Sequence, residues 1–127
     1  MGFIELKTAA DLPTLISQNK RVILKFSRKG CSACEKVKDP VIKKSAQYDR
    51  LTIIDIDDEK FKEIGDQYKV TNLPTFIPLY KGQPAPGLSP VISSSMDKIE
   101  FLFLQMNSSS SRSVAYQSEK GSKKKKK

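Results

Sequence analysis

Apolar and polar positions change period several times along this chain, and each change predicts an element. Phe3 to Leu6 alternates, as a short strand does. Leu12, Leu15 and Ile16 share one helical face, and Thr8 with Asp11 three residues on forms a capping-box pattern. Pro13 fits only near a first turn, so that helix is expected to begin at Asp11 and to end at Asn19-Lys20. Val22 to Ser27 is a β-branched and aromatic run, read as a buried strand. From Glu35 to Tyr48, Val37, Val41, Ile42 and Ala46 recur at helical spacing; Pro40 inside this helix predicts a kink rather than a stop. Leu51 to Asp57 reads as the next strand, with Asp57-Asp58-Glu59 as turn and helix start, and Phe61, Ile64 and Tyr68 on one helical face. An X-Pro turn at Leu73-Pro74 leads into another strand. Lys81-Gly82-Gln83 predicts a tight antiparallel turn into a short edge strand limited by Pro84, Pro86 and Pro90. Ser95 can cap a last helix that buries Ile99, Leu102, Phe103 and Met106.

Strand–helix–strand–helix–strand–helix–strand–strand–helix describes an α/β domain, a central mixed β-sheet flanked by helices on both faces. This domain is assigned to residues 1–106. From Asn107 onward there is almost nothing to bury, so residues 107–127 read as a disordered Ser-rich and polylysine tail. About a hundred residues suffice for one core without staples.

Charge sharpens that division. The net charge is +9, but residues 1–106 hold 16 Lys/Arg against 13 Asp/Glu, whereas residues 107–127 hold 7 against one. The excess belongs mainly to the tail. Lys123, Lys124, Lys125, Lys126 and Lys127 could hold an anionic surface weakly, or only aid solubility. No run approaches the ~20 apolar residues of a membrane span. Met1 to Glu5 has no basic region followed by an apolar stretch, so no secretory signal is expected. Gly2 is followed by Leu6 where a myristoylation motif needs Ser or Thr. The expected setting is the cytoplasm, with the nucleus as a further option, and the expected state is a monomer.

The chemistry sits at Gly30-Cys31-Ser32-Ala33-Cys34, which holds both cysteines of the chain. A strand running into a helix through Cys-x-x-Cys puts the first sulfur at the helix N-terminus. There, unsatisfied N–H groups and the helix dipole favour a thiolate, the nucleophilic form. The second sulfur lies one turn on, close enough to attack a disulfide formed at the first, which makes a two-electron switch. Half a zinc site is the competing reading, but zinc needs four ligands and the chain has no histidine and no third cysteine. An inert packed pair is the other. Three cations flank the pair: Arg28, Lys29 and Lys36. Near a thiol that is about 3% thiolate at pH 7, they could raise that fraction several-fold, or remain solvated surface charges.

Taken together, these residues resemble the thioredoxin family. The match is carried by the strand Val22–Ser27, by Cys31-x-x-Cys34 at the head of a helix, and by the strand end Ile54-Asp55-Ile56-Asp57-Asp58. It continues through Tyr68-Lys69-Val70-Thr71-Asn72-Leu73-Pro74-Thr75-Phe76 to Tyr80-Lys81-Gly82. It covers roughly residues 3–106. Glutaredoxin fits less well, lacking a Thr-Val-Pro turn and a later Gly-Gly here. The resemblance implies a thioredoxin fold, with Cys31 as the attacking sulfur and Cys34 as the resolving one. It also implies a cis Pro74 beside them, where the competing reading is an ordinary trans turn, and substrate contact at Gly30, Leu73 and Pro74. No bound cofactor and no metal are implied.

Several positions depart from the family pattern. Its Trp before the first cysteine is Gly30, its Gly-Pro between the cysteines is Ser32-Ala33, and its helix proline comes one residue late, at Pro40. Pro78 lies inside an expected internal strand, which predicts a bulge. The family's buried acid, thought to help deprotonate the second cysteine, aligns with Lys25. Lys25 is expected to pack its stem and send its ammonium to water; buried instead, it could exchange a proton in the acid's place and so tune the thiols, as Arg28, Lys29 and Lys36 could. The expected function is thiol–disulfide oxidoreductase: reduction or exchange of disulfides in protein partners, with a recycling reductase. The alternative is a non-catalytic thioredoxin-fold module attached to partners or anionic surfaces through its tail.

Overall fold

The computed structural model describes residues 2–108. In chain order the elements are β1 (Gly2–Glu5), α1 (Asp11–Gln18), β2 (Arg21–Ser27), α2 (Ser32–Ser45), β3 (Thr52–Asp57), α3 (Lys62–Gln67), β4 (Thr75–Tyr80), β5 (Gln83–Pro84), β6 (Val91–Ile92) and α4 (Met96–Ser108). The sheet runs β1-β3-β2-β4-β5, with β6 also on β4. β1, β3 and β2 are parallel, and β4 is antiparallel to β2. A central parallel strand is covered on both faces and therefore reads as an unbroken apolar run. β2 does so: all of its residues but the last are buried.

Alternation splits the core in two. Val22, Leu24 and Phe26 point to one face and pack with Leu12 of α1, Phe61 and Ile64. Ile23 points to the other and packs with Val37 and Val41 of α2 and Ile99, Leu102 and Phe103 of α4. Helices therefore cover both faces, as expected. The buried side of α2 is completed by Ser45, while Ile42 and Ala46 are exposed. α2 continues through Pro40 without a stop.

Three local expectations are corrected. Thr8 makes no side-chain cap to α1; the N-cap is Ala10, and Thr8 supplies only its carbonyl to Asp11 N–H. Pro78 causes no bulge against β2, because the register passes unbroken through Ile23↔Pro78. Ala85 N–H donates to Pro78 O at 3.0 Å, and within a strand a residue's N and O face the same neighbour. The missing N–H thus lies on the side away from β2. That side also carries the third difference, the extra strand β6. β5 pairs with Leu79 and Tyr80, β6 with Thr75 and Phe76, and Pro78 occupies the gap between them.

The tail assigned to residues 107–127 lies outside the described residues except for Asn107 and Ser108, which close α4. Asn107 Oδ1 accepts from Arg50 N–H at 2.9 Å.

Candidate active site

The C-terminal end of β2 and the start of β4 lie together, since Phe26 is in register with Thr75. The loop after β2 carries Gly30 and Cys31; the turn before β4 carries Leu73 and Pro74. The Leu73–Pro74 peptide is cis, Pro74 is buried and Leu73 is half-buried. Thr75 Oγ1 donates to Asn72 O at 2.5 Å and closes the turn.

Cys31 is the N-cap of α2. Its backbone is extended (φ −94°, ψ 106°) and its Sγ accepts from Cys34 N–H at 3.2 Å. The Cys31 sulfur here occupies the place of the oxygen that usually satisfies an orphan N–H at a helix start. The helix therefore begins at Ser32, three residues before the start expected from periodicity. Gly30 has φ +80°, and an added Cβ would meet nothing within 4 Å. Backbone conformation, not space, selects glycine there. Gly30 N–H donates to Glu35 at 3.3 Å, tying the loop back onto the first turn. Cys31 and Cys34 are joined as a disulfide with Cα atoms 5.2 Å apart. Cys31 is half-buried and Cys34 is only 3% exposed.

Behind Cys34 lies a cavity of about 290 Å³ between the first turns of α2 and the end of the sheet. Lys25, Ser27, Asp55 and Asp57 line it together with Cys34. Lys25 is 1% exposed, against the expectation that its ammonium reaches water. The reason is a partner in register: Lys25 on β2 faces Asp55 on β3. Its Nζ lies 3.0 Å from Asp55 Oδ1 and 3.2 Å from Ser27 Oγ, and Ser27 Oγ donates to the same carboxylate oxygen at 3.1 Å. An ammonium with two such acceptors can be buried where an unpartnered one could not.

Of the cations expected near the pair, Lys25, Arg28 and Lys29 line this cavity with Cys34, and exposed Lys36 does not. Asp55 and Ser27 were missed as site residues. Their signal was an acid inside the apolar run at residues 53–56 and a base inside the apolar run at residues 22–26. Among the described residues, no group of three or more metal-ligating side chains comes together. No helix among them is long and apolar enough to cross a membrane.

The thioredoxin family model matches residues 4–89. The chain is 34% identical over 76 residues to "Thioredoxin 3" of Plasmodium falciparum, covering 58% of this chain and 42% of that protein. It is 31% identical over 77 residues to a thioredoxin of Mycoplasmoides gallisepticum, covering 60% and 76%. Among solved structures, a reduced thioredoxin pre-protein of Schistosoma mansoni superposes with TM-score 0.75 at 28% identity, covering 84% of this chain and 99% of that one. The chain thus spans less than half the length of the Plasmodium relative.

Proposed function

Starting from the fact that this chain belongs to the thioredoxin family, we propose that it is a thiol–disulfide oxidoreductase working on protein disulfides through Cys31 and Cys34. The observation that carries this reading is the disulfide itself, seated with Cys31 as the N-cap of α2. When the pair is reduced, Cys34 N–H and the helix dipole favour the thiolate of Cys31.

The Cys31 thiolate attacks one sulfur of a substrate disulfide; the S–S bond breaks and the other substrate sulfur leaves as a thiolate, which takes up a proton. Cys34, deprotonated in turn, attacks Cys31 Sγ and releases the second substrate sulfur. The partner gains two electrons and Cys31–Cys34 becomes the disulfide. A separate reductase returns the two electrons, so the chain is a carrier in an electron-transport sequence. No other cofactor enters these steps. Gly30, Leu73 and Pro74 form the substrate-facing rim, a role supported by the shared sheet end that holds both loops.

The setting is cytoplasmic or nuclear and the acting species is a monomer. Support for the compartment is the cysteine count, two residues used as an exchange pair rather than as staples. Lys123 to Lys127 add weak, salt-sensitive attraction to anionic surfaces, on the strength of their charge alone.

An insulin-disulfide reduction assay tests the reading: turnover is expected in the wild type and none in Cys31→Ser. Partner binding without any turnover would instead support the non-catalytic module.

A further inference from the structure

The cavity mouth has a charge balance that the redox chemistry does not use. Every carboxylate lining it is already engaged inside the chain. Glu5 pairs with Lys7 at 3.3 Å, and Glu35 accepts from Gly30 N–H. Asp55 holds Lys25. Asp57 accepts the N–H groups of Glu59 and Lys60 at 2.9 and 3.2 Å. Arg28, Lys29, Lys38 and Lys60 line the same cavity, are exposed, and form no ion pair among the described residues, but Lys60 Nζ lies over the Phe61 ring, 5.2 Å from its centroid. Three cations with neither an ion pair nor a ring partner among the described residues therefore border the concave opening behind Cys34, whose lining holds six cations against four carboxylates. Such an opening with low-dielectric walls concentrates the field outside it. An incoming anion can settle there without breaking any existing pair.

We propose that Arg28, Lys29 and Lys38 form a docking surface for acidic side chains, so that the chain selects protein disulfides flanked by Asp and Glu. This inference rests on the oxidoreductase reading and specifies the substrate class of that site. The occupant is a polypeptide segment because the same encounter must bring a disulfide to Cys31. The cations act on encounter and register; they take no part in bond exchange. Their contribution is long-ranged and salt-screened, with a Debye length of about 30 Å at 0.01 M and about 3 Å at 1 M ionic strength.

The test uses the reduced full chain and three synthetic peptides, each closed by the same disulfide loop and flanked by acidic, neutral or basic residues. Second-order rates of Cys31–Cys34 oxidation are measured at about 0.01 M and about 1 M ionic strength. At low salt the acidic peptide should react about tenfold faster than the basic one, within the range electrostatic steering provides. The ratio should approach one at high salt. Arg28→Gln/Lys29→Gln/Lys38→Gln should abolish the preference, and the corresponding Glu variants should reverse it. The alkylation rate of Cys31 with uncharged iodoacetamide, measured on each variant, separates any effect on the thiol from an effect on docking. Equal peptide rates at low salt, or a ranking unchanged in both triple variants, would overturn the docking surface while leaving the oxidoreductase standing. A chain that reacts with none of the three peptides fails as an oxidoreductase, and the docking surface falls with it.

Discussion

Lys25 Nζ has two acceptors, the Asp55 carboxylate and the Ser27 hydroxyl, and one exit, the cavity behind Cys34. With Lys25 1% exposed and the Asp55 side chain 15% exposed, removing one partner leaves an uncompensated charge in the interior. Asp55→Asn should therefore lower unfolding free energy by about 3–5 kcal/mol, read by urea denaturation. Lys25→Met/Asp55→Leu should cost much less than the sum of the single variants, because replacing both ions removes both desolvation penalties. Additive losses would show that the pair is not coupled. A second prediction concerns Tyr68, which packs on Phe26 and whose phenol is pushed above its usual value by desolvation. The folded state then holds its proton to higher pH than the unfolded state does. Its stability contribution is present below the unfolded value near 10 and is lost as pH rises through the folded one. Stability measured above about pH 10 should fall with pH, less steeply in Tyr68→Phe. At this scale the sequence was half legible. Alternation put Lys25 on the face of Ile23, but which residue of a neighbouring strand lies opposite is set by register, and a single strand does not contain that information.

The helix that carries the cysteines shows why element boundaries were harder to read than element identity. Val37 and Val41 announced α2 by their spacing, yet its first turn, Ser32-Ala33-Cys34, has only one buried residue and no apolar rhythm. The start is fixed instead by the Cys31 cap and by Gly30 at φ +80°. The Trp usual at this family position would be strained here, so Gly30→Trp should destabilise by about 1–2 kcal/mol, the cost of left-handed backbone for an ordinary residue. A thermal melt showing no loss would mean that the loop rearranges freely. Pro78 is the converse case. Sequence alone marked it as a problem for an inner strand, and the geometry resolves it by aiming the missing donor into the gap between β5 and β6. β6 itself is two residues long among prolines and serines, too short to carry a periodic signal.

For the molecule as a whole, the two-sided core was readable because β2 and β3 are apolar on both faces and each helix offers a buried apolar face, although α4 also exposes Phe101 and Leu104. Composition sets the domain boundary at Met106, whereas α4 extends to Ser108 and Asn107 receives the Arg50 N–H; the rest of the assigned tail lies outside the described residues. Truncation after Ser108 should accordingly leave melting temperature and insulin turnover nearly unchanged, while retention on heparin at low salt drops with the lost lysines. Equal retention would remove the tail from any anionic binding. The central claim, that Cys31 attacks and Cys34 resolves, is tested most directly by trapping the intermediate. Reduced Cys34→Ser should stall on a disulfide-bearing protein as a covalent adduct that peptide mapping places on Cys31 and that dithiothreitol releases. Cys31→Ser should form no such adduct at a comparable rate. An adduct on Cys34 in Cys31→Ser at the wild-type rate, or none in Cys34→Ser, would contradict the account.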